Sequence, residues 1–442
     1  MPKRTPLRHT LPAAAVLAGA GAGLWALAAP PADTTPRSFL DPLSLTKTID
    51  GEIANAWRGA KIADPKPADD AEFLRRLSLD LNGVIPPRTE VVAFLQDKSR
   101  NKRAKKIDEL IERPAYAEHI ARTWTNLLVG RTYREQFFRR EPFYDWIEKA
   151  FAANEPYDEM VRELLTAKGV NDENAAVNYF IRYAKDMNPA DVAGPVARTF
   201  LGVQIQCAQC HNHPYEHWTQ EDFWAFAAFF SCIRPRPIKM DGAMPKDYKL
   251  DLLDARAGEV YLPDSDPRRP VYPRFLGTPW PEPQPFLNRR EALAKWMTSA
   301  ENPTFAKALV NRVWALLIGR GIVEPIDDFS KKNVPSHPAL LEALAAGFVR
   351  SGFDIRYLIR AICNSRVYQL ASGVQAKDAD EEKLFAHAQL KPMTPEQLFY
   401  TLLQLGGMDR KNLRADRKQI DRQRDQYLRQ FITLFGNEEM QE

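Results

Sequence analysis

Cysteine is scarce in this chain, at four residues among 442. That is too few to staple a protein of this length with disulfides, so the fold must rest on a packed core. Charge of one sign is scarce as well. The net charge is only +4, which argues against nucleic acid as the main partner. Neither common type of Gly-rich phosphate loop is present, and no short-period repeat is visible. After Ala29 no segment is apolar enough to span a bilayer. What is abundant is material for an interior. The chain is 45% apolar and carries nine Trp and 23 Phe, enough to bury a large core.

The first residues read "MPKRTPLRHTLPAAAVLAGAGAGLWALAAPPADT". Lys3, Arg4 and Arg8 precede an apolar run from Leu11 to Ala29. Ala26-Leu27-Ala28 is a small-x-small cleavage pattern, followed by Pro30 and Pro31. These are the three parts of a secretory signal peptide, placed at residues 1–28. An uncleaved anchor is the alternative, and it is the one route to a membrane tether. Either way the mature chain is expected outside the cytoplasm, in the periplasm or cell envelope.

The expected fold class is mainly α: a multi-helical, two-domain protein with a Pro-rich, partly extended connector. Helical patterns begin at Asp69. "DDAEFLRRLSLDLNG" has an Asp cap and an Asn82-Gly83 stop. "TQEDFWAFAAFF" opens with Thr219 and Asp222 three apart, like a capping box. The basic run "KSRNKRAKK", Lys98 to Lys106, reads as a solvated loop and first turn. After Cys232 the character changes. Eleven of the 34 prolines fall between Pro235 and Pro285, which forbids a long helix or a central strand there. "GEVYLPD" is a candidate hairpin. Helix returns at "NRREALAKWMTS" and "NPTFAKALVNRVWALLIGRG". "SHPALLEALAAGFVRSG" reads as a Ser-capped helix with Pro338 in its first turn. The tail "DRKNLRADRKQIDRQRDQYLRQ" reads as a solvated helix. The resulting division is a helical domain at 38–232, a connector at 233–285 and a second helical domain at 286–442.

Two of the four cysteines and three of the seven histidines fall within "QIQCAQCHNHPYEHW", Gln204 to Trp218. Cys207-Ala208-Gln209-Cys210-His211 is the attachment pattern for c-type haem. Two thiols three apart on one turn can each form a thioether to a haem vinyl, and the adjacent histidine can ligate the iron. In an oxidising compartment this also removes both thiols from oxidation. Other readings stay open. Cys207, Cys210, His213 and His217 could form a Cys₂His₂ zinc site. Cys207 and Cys210 could form a redox disulfide, although the expected βαβ context is absent. A cysteine nucleophile paired with histidine would explain one thiol only. The turn could also be merely packed. Cys232 and Cys363 lie in apolar helical patterns and read as buried small hydrophobes, with a disulfide between them left open.

Haem needs walls and usually a sixth ligand. The aromatic flanks, among them Phe200, Trp218, Phe223, Trp224 and Phe226, read at helical spacing as ordinary core. Met240 or Met244 is the candidate sixth ligand, and either would raise the redox potential. Met187 and His119 are further candidates by sequence.

The stretch "FLGVQIQCAQCHNHPYEHWTQEDFWAFAAFF" resembles the planctomycete-type cytochrome-c-like domain of unknown function. "FLRRLSLDLNGVIPP" and "LIERPAYAEHIARTWTNLL" resemble its start. "NPTFAKALVNRVWALLIGRGIVEPIDDFSKKNVPSHPALLEALAAGFVRSGFDIRYLIRAICNSRVYQLAS" is similar to its usual C-terminal companion, a second domain of unknown function. The resemblance implies an exported, mostly helical protein and no particular reaction. Asn311, Arg312, Trp314, Asp327, Asp328, Ser336 and His337 match the companion's pattern. Asp327-Asp328 with His337 could be read as a hydrolytic or cation site. The favoured reading is structural: Asp328 and Ser336 cap helices and Arg312 pairs with a carboxylate, because adjacent carboxylates point in different directions.

The function expected from the sequence is therefore an exported haem c protein serving electron transfer or a redox step. Cys207 and Cys210 attach the haem and His211 ligates it, with a redox protein as partner. The alternative is a structural metal-binding or non-catalytic scaffold of the envelope. A hydrolase acting on exported polysaccharide is a further rival.

Overall fold

A computed structural model describes residues 40–63, 65–131, 138–238, 249–256, 258–263, 265, 267–278, 288–372, 379–408 and 417–435. The signal-peptide segment, Met240 and Met244 lie outside the described residues. No described helix is long and apolar enough to cross a membrane.

Helix starts follow the capping chemistry of the sequence. Asp41 caps α1 (Pro42–Gly59), accepting from the Leu43 N–H at 3.0 Å. Asp69 caps α2 (Asp70–Asn82), and Gly83 ends it at φ 71°. That left-handed step suits glycine, and the His119 ring fills the place a Cβ would take. Next come α3 (Arg88–Gln96), α4 (Lys102–Ile111), α5 (Pro114–Val129), α6 (Arg140–Ala152) and α7 (Tyr157–Thr166). A short strand β1 (Gly169–Val170) and the turn α8 (Asn178–Ile181) lead to α9 (Pro189–Val196) and α10 (Gln220–Ala227).

The Pro-rich stretch is extended where it is described. β2 (Ile233–Ile238) and β1 flank β3 (Lys249–Asp254) in an antiparallel sheet of order β1-β3-β2. The central strand, "KLDLLD", contains no proline. β2 carries Pro235 and Pro237 at the sheet edge. Residues two apart face the same way, so both missing N–H groups can fall on the unpaired side. β4 (Val260–Tyr261) pairs with β5 (Pro270–Val271), which is the small hairpin expected at "GEVYLPD".

Helices α11 (Arg289–Met297), α12 (Phe305–Ile318), α13 (Pro338–Arg350), α14 (Ile355–Asn364), α15 (Ala379–Lys383), α16 (Pro395–Leu405) and α17 (Arg417–Phe435) complete a mainly α fold. One cap differs from expectation. His337, not Ser336, occupies the N-cap of α13 and makes no side-chain cap bond. Ser336 instead turns its Oγ to the Ile322 carbonyl at 3.2 Å.

Ser38–Glu442 pack as one unit, and helices from both sides of the connector share its core. α1 lies on α13 and α14 through Leu45, Ile49, Ile53 and Trp57. Thr46 Oγ1 donates to the Ala361 carbonyl at 2.9 Å and Trp57 Nε1 to the Leu384 carbonyl at 2.8 Å. Tyr157 stacks on Phe305 with ring centres 5.3 Å apart. Arg290, only 1% exposed, lies in the first turn of α11 and binds two separate pieces of chain. Its Nε donates to Asp254 at 2.8 Å, and its Nη1 to the Ala167 and Leu165 carbonyls at 2.8 and 3.1 Å. Such partners are what make a buried guanidinium tolerable.

The basic run differs from the solvated loop expected. Lys102 pairs with Asp70 at 2.6 Å and Lys106 with Glu90 at 3.2 Å. Arg103 also binds Asp70 and lies 4.7 Å above the Phe73 ring. These contacts fasten α4 to α2 and α3, with the stems lying along apolar surface.

Two buried histidines make stability depend on pH. Burial pushes His119 down to about 3 and His337 down to about 4. Both are therefore held neutral in the folded chain. Their contribution is complete above the unfolded value of about 6.5 and is lost as pH falls toward the folded values. Urea unfolding midpoints should drop between about pH 6.5 and about pH 4. Replacing both with glutamine should flatten that slope by up to about 1.4 kcal/mol per pH unit for each histidine. An unaltered slope would contradict the assignment.

Candidate functional site

The cysteine turn is reached through a backbone arranged around two glycines. α9 continues into a π-helical turn, Ala197–Leu201. Gly202 closes that turn in the left-handed region at φ 64°. A Cβ on Gly202 would strike the ring of Phe329. The Phe329 N–H donates to the Gly202 carbonyl at 2.8 Å. A Cβ on Gly194 in α9 would likewise strike the Gln206 side chain. Close approach of other groups, together with positive φ at Gly202, explains both glycines.

Beyond Gly202, Ile205 is fully buried and anchors the lead. A single 3₁₀ turn, Gln206–Gln209, follows. Ala208 in its middle is fully buried. Cys207 and Cys210, on either side of Ala208, are exposed, and neither forms a disulfide. The turn is held from beneath by α10. Trp224 Nε1 donates to the Gln209 carbonyl at 3.0 Å, and Gln220 Nε2 to the Cys210 carbonyl at 2.8 Å. Helix α10 is itself fixed by the expected capping box. Thr219 N donates to Asp222 Oδ2 at 2.8 Å, and Asp222 N to Thr219 Oγ1 at 3.1 Å. Arg274, buried, pairs with the other oxygen of Asp222.

The histidines after the turn have different partners, and the partners set their tautomers. His211 is exposed, and its Nδ1 lies 2.7 Å from the Asn212 carbonyl. A carbonyl can only accept, so Nδ1 carries a proton, and in the neutral ring Nε2 keeps the lone pair. His213 is the reverse. Its Nδ1 accepts from the Tyr215 and Glu216 N–H groups at 3.2 and 3.0 Å. In the neutral ring the proton then sits on Nε2, which leaves no lone pair for a metal. His213 closes a loop, with its own N–H donating to the Trp218 carbonyl at 2.8 Å. His217 is exposed and lies against Trp218 with ring centres 4.1 Å apart.

These positions sort the ligand readings. Cys207, Cys210 and His211 lie on one exposed stretch of chain. Among the described residues no group of three or more His, Cys, Asp or Glu is placed to hold a metal ion by itself, neither Cys207, Cys210 and His211 nor Cys207, Cys210, His213 and His217. Most of the aromatic flank is core, as its spacing suggested: Phe200, Phe223, Phe226, Phe229 and Phe230 are at most 2% exposed. Trp218, Trp224 and Val203 are the flank residues that reach the surface. His119 is buried between α5 and Gly83, which excludes it as a ligand at this surface. Met187 is partly buried against the core, at the step into α9. Cys232 and Cys363 are both buried free thiols, and burial pushes the Cys363 thiol up.

The paired aspartates also separate. Asp327 accepts from Arg198 Nε at 2.7 Å and from Gln204 Nε2 at 3.3 Å. Asp328 turns away and accepts from Asn333 Nδ2 at 2.8 Å, closing its own loop and capping no helix. The partly buried Arg312 lies in the field of Asp327, but its hydrogen bond goes to the Thr199 carbonyl at 3.3 Å. His337 lies against Phe385 with ring centres 5.1 Å apart and the rings tilted by 30°. No hydrolytic constellation forms from Asp327, Asp328 and His337. Sequence reasoning missed Arg198, Gln204, Gln220 and Trp224. Polar residues beside a motif carry no local signal of which carbonyl or carboxylate they will reach.

A Gly202→Ala substitution should cost about 2 kcal/mol or more, through strain at positive φ and collision with Phe329. Adding Phe329→Ala should return part of that loss in a double-mutant cycle. Strictly additive unfolding energies would show that the two residues do not meet.

Residues 48–235 match the model of a family described as protein of unknown function DUF1549, labelled PSCyt2. Residues 289–439 match a second, described as protein of unknown function DUF1553, labelled PSD1. Among curated proteins and among solved structures, nothing matches the chain. The thiol turn and α10 fall within the first match, and Asp327 and Phe329 within the second. The chain thus carries a PSCyt2 domain followed by a PSD1 domain, two families of unknown function, in the order its motifs anticipate.

Proposed function

We propose that this is an exported protein carrying one haem c, attached through Cys207 and Cys210 and ligated by His211, and that it serves electron transfer. The observation that carries the reading is the contact between His211 and the Asn212 carbonyl beside two exposed thiols. The His211 Nδ1 is engaged by that carbonyl at 2.7 Å, which in the neutral ring leaves Nε2 as the ligating atom. A backbone partner of this kind orients a ligating imidazole and raises its basicity. When bound, haem c supplies one-electron chemistry at its iron. Cys207 and Cys210 hold the group covalently, so it cannot be lost from an exported protein. Gln220 and Trp224 fix the backbone that bears the thiols. The attachment point is at the surface, where a redox partner protein can approach. The N-terminal signal pattern supports an exported location, in the periplasm or envelope.

A second reading is a non-catalytic envelope scaffold in which this turn is a packed corner. It is favoured by the hydrogen bonds that already satisfy the Gln209 and Cys210 carbonyls. Maturation in a host with cytochrome c assembly machinery separates the two. The first reading predicts a Soret band and a haem stain that survives a denaturing gel. Cys207→Ala/Cys210→Ala should abolish the stain. His211→Ala should alter the spectrum of whatever haem remains attached. Colourless wild-type protein, or stoichiometric zinc without iron, would overturn it.

A further inference from the structure

We propose that Asp327, from the PSD1 segment, is the positioning residue of the thiol turn, so that the second segment controls haem attachment on the first. This rests on the haem reading above. The lead into the turn runs from Arg198 to Gln206, and Asp327 grips it on both sides of Gly202. One carboxylate oxygen takes Arg198 Nε at 2.7 Å, four residues before the glycine. The other takes Gln204 Nε2 at 3.3 Å, two residues after it. Between them, the Phe329 N–H holds the Gly202 carbonyl at 2.8 Å, and the Phe329 ring fills the space at its α-carbon. Arg312 adds a bond to the Thr199 carbonyl at 3.3 Å. The lead is therefore shaped by residues more than 100 positions downstream.

A charge-assisted bond is geometrically selective, and Asp327 uses both oxygens on one short stretch of chain. Cys207 stands three residues beyond Gln204, with only Ile205 and Gln206 between. A shift of the lead becomes a shift of the first thiol relative to Cys210, whose carbonyl Gln220 holds separately. Two thioether bonds to one rigid ring tolerate little such error. Asp327 thus has a role that neither a hydrolytic nor a cation site would give it.

The test uses the full chain, matured with the cytochrome c machinery, as wild type and as Asp327→Asn, Asp327→Glu and Arg198→Gln. Haem per chain, melting temperature and amide exchange of the haem-free protein are measured for each. Asp327→Asn should lower haem loading by about tenfold, the size of loss typical when a supporting residue of a metal site is removed. Its melting temperature should stay near that of wild type. Asp327→Glu should recover most of the loading. Arg198→Gln, at a side chain 46% exposed, should reproduce the loss and serves if the Asp327 variants fold poorly. Exchange at residues 203–210 should quicken by about tenfold in the Asn and Gln variants and nowhere else. Loading equal to wild type, or a loss that glutamate does not recover, overturns the proposal. If wild type takes up no haem, the haem reading fails on its own and exchange decides. Quickening confined to 203–210 then upholds the positioning role, and unchanged exchange refutes it.

Discussion

Two carbonyl groups at the end of one 3₁₀ turn determine what this protein presents to its surroundings. Trp224 takes the Gln209 carbonyl and Gln220 takes that of Cys210. With those oxygens satisfied and Ala208 pressed into the core, the turn cannot roll inward. Cys207, Cys210 and His211 are then left facing out. If the chain is exported, as proposed, an exposed pair of thiols invites oxidation unless something occupies it. The turn is therefore well supported while both of its thiols stay exposed, which is what the proposed covalent attachment requires. The contact of His211 Nδ1 with the Asn212 carbonyl belongs to the same arrangement, because in the neutral ring it leaves the lone pair on Nε2.

This support depends on the whole chain. The PSCyt2 and PSD1 segments are separate in sequence, but α1 lies on α13 and α14, and Arg290 joins α11 to β3 and to the end of α7. Asp327 and Phe329 reach from the second segment to the lead of the turn. A shared core explains how residues far apart in the chain can act on one site. It also gives the Asp327-Asp328 pair a physical use. One aspartate bridges segments and the other closes a loop, so no catalytic pair is formed.

Much of the fold is legible in the sequence wherever the signal is local. Asp69 and Gly83 mark both ends of α2, and Thr219 with Asp222 opens α10, because caps are made by residues three or four apart. The proline density anticipates an extended connector but wrongly excludes a central strand: β3 is one, because its stretch 249–254 holds no proline, and β2 accepts its two prolines only because it is an edge. α1 was not anticipated, although Asp41-Pro42 and the spacing of Leu45, Ile49, Ile53 and Trp57 carry a helical signal. Readings that depended on distant partners went astray. The charge run reads as solvated, yet Lys102 and Lys106 pair with Asp70 and Glu90. Ser336 was expected to cap a helix but reaches back to Ile322. At the site, spacing identifies Cys207, Cys210 and His211 as a group. Only the three-dimensional partners separate His211 from His213, since the two differ in which backbone group meets Nδ1.

The central claim is that the two thiols of this turn are linked to one porphyrin. The most direct measurement is the mass of the denatured chain after maturation with cytochrome c machinery, followed by sequencing of the proteolytic fragment that spans Cys207 and Cys210. The account predicts one haem mass per chain, retained through denaturation and located on that fragment. A chain of bare polypeptide mass, with both thiols still open to alkylation, would contradict it.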